Sequence, residues 1–403
     1  MENNEWKSYI FSDFVSINPT IRLESSKEYS FVEMKDLNEN YKYVYPSALK
    51  KLTGGARFQE MDTLFARITP CLENGKICQV KKLRNGTGFG STEFLVFRGK
   101  DGISDTDFVY YLSRFDEVRR FAELNMLGTS GRQRVTREAF DNLQLKLPPL
   151  LTQRRIADIL SALDDKIELN RQTNATLEAI AQAIFKEWFV NFNFPGATGE
   201  MVESELGMIP KGWKAGAIGD ILDLFHENVT PYRTPNVDFF HYSIPAFDNG
   251  RTPSIETGGS ILSNKFKVKS NSILVSKLNP RIPRVWPVNN VDELKSICST
   301  EFQVLVPKKR YFYAFGVNLF SQQSIQDTMK SRASGTSGSH QRINPQDILN
   351  IELIIPDDGI MHLYNDIASD NYQKLISAQY ESITLSKIRD TLLPKLMSGE
   401  IEI

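Results

Sequence analysis

Cysteine is scarce in this 403-residue chain. Cys71, Cys78 and Cys298 form no CxxC pair, which excludes a disulfide framework and a cysteine-rich zinc site and fits a reducing cytoplasm. The four histidines, His226, His241, His340 and His362, have no metal-ligand spacing, so no bound metal is expected. No apolar run approaches the ~18 to 20 residues of a membrane span, and Met1–Trp6 lacks the basic and apolar regions of an export signal. Neither a membrane partner nor export is expected. An excess of one charge is also missing: 48 Lys+Arg stand against 49 Asp+Glu, a net charge of −1. A total of this kind says nothing about distribution. With 41% hydrophobic and 11% aromatic residues, the chain has enough apolar side chains for two to three packed domains.

What is present is a duplication. Trp6-Lys7 returns as Trp213-Lys214 and Gly128-Thr129-Ser130-Gly131 as Gly335-Thr336-Ser337-Gly338, each 207 residues later. Ser91-Thr92-Glu93-Phe94 returns as Ser299-Thr300-Glu301-Phe302, Gln133-Arg134-Val135 as Gln341-Arg342-Ile343, and Leu147-Pro148 as Ile355-Pro356, each at 208. One order at one spacing means two related halves, and two copies of this length exclude a short-period solenoid. Within each half, β-rich runs such as Gly90 to Phe97 and Ser272 to Val275 alternate with turns and helical stretches such as Asp107 to Leu124.

After Pro149, Ile156, Leu160, Leu163, Ile167, Asn170, Asn174, Leu177, Ala181, Ile184 and Trp188 follow a heptad spacing, repeated 208 residues later from Tyr364 to Leu396 through Arg389. The fold class expected is α+β: two similar mixed α/β domains and two long helices packed as an antiparallel coiled coil with pseudo-twofold symmetry. Asn170 and Asn174 are expected to meet the neighbourhood of Ala378 and Ser382, and Pro394 to disturb the end of the second helix. The boundaries expected are 1–147, first domain; 148–195, central helical region; 196–212, linker by its Gly, Pro and Glu content; 213–355, second domain; and 356–403, C-terminal helical region.

Split along these lines, the charge separates. Residues 1–147 carry +2 and 206–355 carry +5, while 148–197, 198–205 and 356–403 carry −1, −3 and −4. Lys265, Lys267, Lys269, Lys277, Arg281 and Arg284 lie in twenty residues without an acid, and Arg67, Lys76, Lys81, Lys82 and Arg84 face only Glu73. Paired basic stretches in paired domains suit a repeating polyanion, although each stretch alone also reads as a solvated loop.

The strings themselves have a family likeness. Met61-Asp62-Thr63-Leu64-Phe65-Ala66-Arg67-Ile68-Thr69-Pro70, Phe89-Gly90-Ser91-Thr92-Glu93-Phe94 and Gly131-Arg132-Gln133-Arg134-Val135 resemble the target-recognition domain of type I restriction-modification specificity subunits. Pro148-Pro149-Leu150 with Gln153-Arg154-Arg155-Ile156-Ala157 resembles that family's central helical region. Gly207-Met208-Ile209-Pro210-Lys211-Gly212-Trp213 resembles the entry to its second domain, and Leu392-Leu393-Pro394-Lys395-Leu396 its C-terminal ending. The chain departs from the pattern at Thr152, where the family often has Glu, and at Pro356-Asp357-Asp358-Gly359. The resemblance implies a non-catalytic subunit that reads an asymmetric, bipartite double-stranded DNA sequence. It also implies two methyltransferase subunits and two restriction and translocation subunits as partners, with S-adenosylmethionine, ATP and Mg2+ used by those partners and no cofactor on this chain.

Enzyme readings fit these residues less well. Asn18-Pro19-Thr20, Asn279-Pro280-Arg281 and Asn344-Pro345-Gln346 lack the second proline and the aromatic with which an amino-methyltransferase stacks a flipped base. Gly86-Thr87-Gly88-Phe89-Gly90 reads as a turn, because no helix N-terminus follows it. Asp158 with Asp164-Asp165-Lys166 imitates a nuclease acidic pair but reads better as a solvated or partner-facing helix surface. No GxxxxGK[ST] occurs, which excludes a conventional ATP motor. A self-contained methyltransferase or nuclease, a scaffold and a free-standing DNA-binding protein remain the alternatives.

Candidate DNA contacts are Arg67, Thr69, Lys76, Lys81, Lys82, Arg132, Gln133 and Arg134 in the first half, and Lys277, Asn279, Arg281, Arg284, Gln341 and Arg342 in the second. Thr92, Glu93, Thr300 and Glu301 read as strand packing or turn capping in preference to base contact. The glycine strings 128–131 and 335–338 read as turns first. Arg154, Arg155, Lys186 and Glu187 are candidate partner-docking residues, with Trp188 assigned to the core. Helices of roughly 60 Å would hold two readers about one DNA turn, ~34 Å, apart, around an unread spacer of about six base pairs.

Overall fold

The structure, a computed structural model, describes residues 5–129, 131–335 and 341–403. It divides into two compact units, one of Met1–Asn170 with Glu381–Ile403 and one of Arg171–Tyr380.

The first unit is built on a five-stranded sheet in the order Val15–Ile17, Phe94–Gly99, Thr63–Ala66, Ile77–Val80, Tyr43–Val44. All four residues of Thr63–Ala66 are buried, because both faces of the sheet are covered. The period-two alternation divides them: Phe65, Leu95 and Phe97 pack with the helices Thr106–Arg114 and Asp116–Leu124, and Leu64 and Val96 pack with Phe58 and Val32 of a second sheet. That second sheet runs Ala48–Lys51, Glu28–Val32, Thr87–Gly90, Ala56–Gln59, with its two central strands parallel. The segment read as a glycine turn is therefore largely one of these central strands. A Cβ on Gly90 would lie 2.4 Å from the Val32 carbonyl oxygen and one on Gly88 2.7 Å from that of Ser30, so glycine serves close packing here.

The second unit repeats the plan. Leu222–Phe225, Phe302–Pro307, Ser272–Ser276 and Val285–Val288 form one sheet in the corresponding order. In the other, Asp238–Tyr242 and Ser296–Cys298 again form the parallel central pair. Terminal strands close each unit alike: Lys7–Ile10 pairs with Gln144–Leu147, and Lys214–Ala217 with Glu352–Ile355. The segment read as a linker contains a hairpin, Met201–Ser204 with Gly207–Pro210. Gly207 takes a φ of +93° at its turn, and Ile209 is buried in the core of this unit.

The long helices run Leu150–Phe185 and Asp358–Met397. The first begins directly after Pro148-Pro149. Gln153, 1% exposed, pins that start by donating to the Ile103 and Pro148 carbonyls and accepting from the Asp105 N–H. In the first unit, Asn170 Nδ2 donates to Ser382 Oγ at 3.2 Å and Asp164 accepts from Arg389 at 2.6 Å. In the second, Asn174 Nδ2 donates to the Leu375 carbonyl at 3.2 Å, and Tyr364 Oη donates to that of Ala181 at 3.4 Å. Asp164 is not on a solvated surface: its side chain is 1% exposed and Tyr111 also donates to it. Pro394 lies inside the second helix, near the end as expected, and the helix continues to Met397, with Leu393, Leu396 and Met397 buried in the first unit's core. Trp188 is buried among Phe189 and Tyr364 in the second unit's core, as its place in the heptad suggested.

Candidate nucleic-acid interface

Three separate strings converge at one edge of each unit. In the first, the segment leaving Thr63–Ala66 lies between the Ser91-Thr92-Glu93 turn and the 132–135 string. The Arg67 N–H donates to the Glu93 carbonyl, the Thr69 N–H to that of Gln133, and the Val135 N–H to that of Arg67, at 3.0, 3.1 and 2.9 Å. In the second, the Lys277 N–H donates to the Glu301 carbonyl, the Asn279 N–H to that of Gln341, and the Ile343 N–H to that of Lys277, at 2.9, 2.8 and 3.1 Å. The frame is the same while the side chains differ, Lys277 taking the place of Arg67 and Asn279 that of Thr69.

Side chains complete the correspondence. Ser91 and Ser299 cap the turns, each accepting at 3.2 Å from the N–H two residues on. Glu93 and Glu301 do something the sequence reading missed. Glu93 accepts from Arg134 Nε at 2.9 Å and Nη2 at 2.7 Å, and Glu301 accepts from Arg342 Nε at 3.1 Å and Nη2 at 2.8 Å. These hydrogen bonds raise both guanidinium pKa values above the ordinary arginine value. The legible signal was that Glu and Arg recur at the same separation in both halves.

Arg67, Thr69, Gln133 and Arg134 thus come together in the first unit, with exposed Arg132 beside them. Arg67 Nε is buried and has no hydrogen-bond partner among the described residues, and Arg67 lines a cleft of about 430 Å³ with Arg57, Thr92 and Asn18. The side chains of Lys76, Lys81 and Lys82 are engaged elsewhere. Lys76 donates to the Met34 carbonyl, and Lys81 and Lys82 sit over the rings of Tyr43 and Tyr45, whose hydroxyls donate to Asp165 and Glu168. In the second unit, Lys277, Asn279, Gln341 and Arg342 gather, and exposed Arg281 follows Asn279 in the same loop. Arg284, expected among the contacts, does not join them: its side chain is 8% exposed and binds Asp248 through Nε and Nη2 at 2.7 and 2.8 Å in a structural ion pair.

The acid-free basic run is partly neutralised in space, since Lys267 pairs with Glu227 and Lys269 with Glu293. Lys277 and Arg281 have no ion-pair partner among the described residues. Ser130, Thr336, Ser337 and Gly338 of the glycine strings, and His340, lie outside the described residues. On the helices, Arg154, Arg155, Lys186 and Glu187 are exposed. Asn193 and Asn191 donate to the Glu187 carboxylate and hold its pKa below the ordinary value.

Comparison with known proteins agrees with this duplicated frame. The family described as type I restriction modification DNA specificity domain matches residues 3–179 and again 210–384. The type I restriction enzyme HindI specificity subunit of Haemophilus influenzae is 26% identical over 99% of this chain and 100% of its own length. The MjaIX specificity subunit of Methanocaldococcus jannaschii is 27% identical over 75% of this chain and 71% of its own. The crystal structure of a type I restriction-modification S subunit from M. genitalium has the same fold, with a TM-score of 0.50 at 16% identity over 98% of this chain and 97% of that one. Its two family matches span both repeats, and the chain belongs to the type I restriction-modification DNA specificity family.

Proposed function

We propose that this chain is the DNA specificity subunit of a type I restriction-modification complex, reading a bipartite, asymmetric double-stranded target. The observation that carries the reading is one frame built twice with unequal side chains, Arg67 and Thr69 in one copy and Lys277 and Asn279 in the other. Equal frames dock alike on a duplex, and unequal donors and acceptors select different bases. The contact set is Arg67, Thr69, Arg132, Gln133 and Arg134 in the first domain, and Lys277, Asn279, Arg281, Gln341 and Arg342 in the second. Lys76, Lys81 and Lys82 are assigned to phosphate contacts at most.

The domains proposed are 1–147 and 213–355, with 148–195 and 356–403 as helical spacers and 196–212 as a structured connection. The helices are inferred to pair antiparallel as a coiled coil of pseudo-twofold symmetry, a reading supported by residue pairs 164 with 389, 170 with 382, 174 with 375 and 181 with 364. Methyltransferase subunits would dock on helix flanks including Arg154, Arg155, Lys186 and Glu187, with restriction subunits joining them. The chemistry, with S-adenosylmethionine, ATP and Mg2+, belongs to those partners in a cytoplasmic complex.

Expressing the chain with a co-encoded methyltransferase and mapping methylated bases genome-wide tests this. A split, asymmetric motif is expected. Methylation by the chain alone, or a contiguous palindromic motif, would overturn it. Inserting one heptad into both helices, after Asn170 and before Glu381, adds about 10 Å, or about three base pairs at ~3.4 Å each. The spacer of the methylated motif should lengthen by that amount with both half-sites unchanged. An unaltered spacer would refute the helical ruler.

A further inference from the structure

We infer that Glu93 is a positioning residue that presents Arg134 to a guanine in the first half-site, and that Glu301 does the same for Arg342 in the second; this rests on the specificity reading above. The fold does not need these ion pairs. The 132–135 string is already held by backbone hydrogen bonds from Thr69 to Gln133, from Val135 to Arg67 and, in both directions, between Leu127 and Arg134. The pair itself is partly exposed, Arg134 at 39% and Glu93 at 24%, and exposed ion pairs add little to stability. Yet the same pair recurs at Arg342 and Glu301, although Arg67 and Thr69 of the same frame are replaced by Lys277 and Asn279.

The geometry accounts for the recurrence. Glu93 grips the guanidinium along its Nε and Nη2 edge, and Nη1 donates to the Arg132 carbonyl at 3.2 Å. A long, flexible side chain is thereby held in one orientation before DNA arrives, which removes the rotamer loss that binding would otherwise impose. Of the five guanidinium N–H donors, two meet Glu93 and one the Arg132 carbonyl, which leaves one on Nη1 and one on Nη2 for a partner. Guanine O6 and N7 match an arginine fork in the major groove. A phosphate suits this pair poorly, because it would lie beside the Glu93 carboxylate, and a neutralised pair releases few counterions.

The test uses the complex of this chain with its methyltransferase and reads the methylated motif. The wild-type motif should carry a guanine in each half-site. Arg134→Lys keeps the charge but loses the fork. It should lower discrimination for guanine at one position of the first half-site by roughly 10- to 100-fold and leave the second half-site unchanged. Glu93→Gln should relax the same position by a smaller factor, and Arg342→Lys and Glu301→Gln should act only on the other half-site. A half-site without guanine would overturn the inference. So would an Arg134→Lys motif identical to the wild type with uniformly lower methylation, which is the signature of a phosphate contact or a folding defect. A wild-type complex that methylates no bipartite motif would sink the specificity reading itself.

Discussion

Replacing Arg389 with Met should destabilise the first unit by about 3–5 kcal/mol, the cost of leaving a buried charge without its partner. Arg389 and Asp164 are 4% and 1% exposed in their side chains, and Nη1 meets Oδ1 at 2.6 Å. The Tyr111 hydroxyl also donates to Asp164, at 2.7 Å, so the carboxylate is oriented as well as neutralised. Without the guanidinium, the buried Asp164 carboxylate keeps the neutral Tyr111 hydroxyl as a donor and loses its countercharge. Asp164→Asn combined with Arg389→Met should be more stable than Arg389→Met alone, because no charge is left buried. Hydrogen exchange in residues 94–99 and 150–170 reads the first unit directly. A loss below about 1 kcal/mol for Arg389→Met would show that the pair contributes little.

Phe140→Ala should cost a similar amount, about 3–5 kcal/mol, for a different reason. Phe140 is fully buried, and its ring lies 5.0, 5.5, 6.0 and 6.4 Å from those of Phe11, Phe97, Phe65 and Phe121. Truncation leaves a cavity walled by rigid rings, which collapse poorly into it. Phe140→Leu should recover more than half of the loss, since most of the volume is restored. The same residue supports function, because buried Val135 and the 132–135 string lie just before it in the chain. The alanine variant should weaken reading of the first half-site and spare the second. Equal relaxation of both half-sites in the methylated motif would contradict the assignment of this string to one reader.

The legible parts of this protein were those written in local or repeated patterns. The duplication was legible because strings such as Ser-Thr-Glu-Phe recur in order, and the same strings meet at the edge of each unit. The long helices were legible because heptad spacing is a local property, and Arg389 stood at a seam position although its charge argued against burial. Misreadings came where composition stood in for packing. Glycines at 88 and 90 suggested a turn, but neighbouring carbonyls approach so closely that only glycine fits in that strand. The Gly, Pro and Glu content of 196–212 marked a linker without showing its hairpin, whose turn is served by a positive-φ glycine.

By itself the sequence determined that two related domains and two heptad helices exist, which strings recur in both halves, and that basic charge is concentrated in the domains. Those properties depend on residue type, order and spacing alone. Only the tertiary structure decided which charges are available. Asp248, 36 residues from Arg284, removes that arginine from the candidate contacts. Glu93 and Glu301, each 41 residues from their arginines, become clasps, and Asp164 finds Arg389 across 225 residues. Whether a side chain is a solvated cation, a pinned fork or half of a buried pair depends on what the fold brings within about 3 Å, and distance along the chain does not specify that.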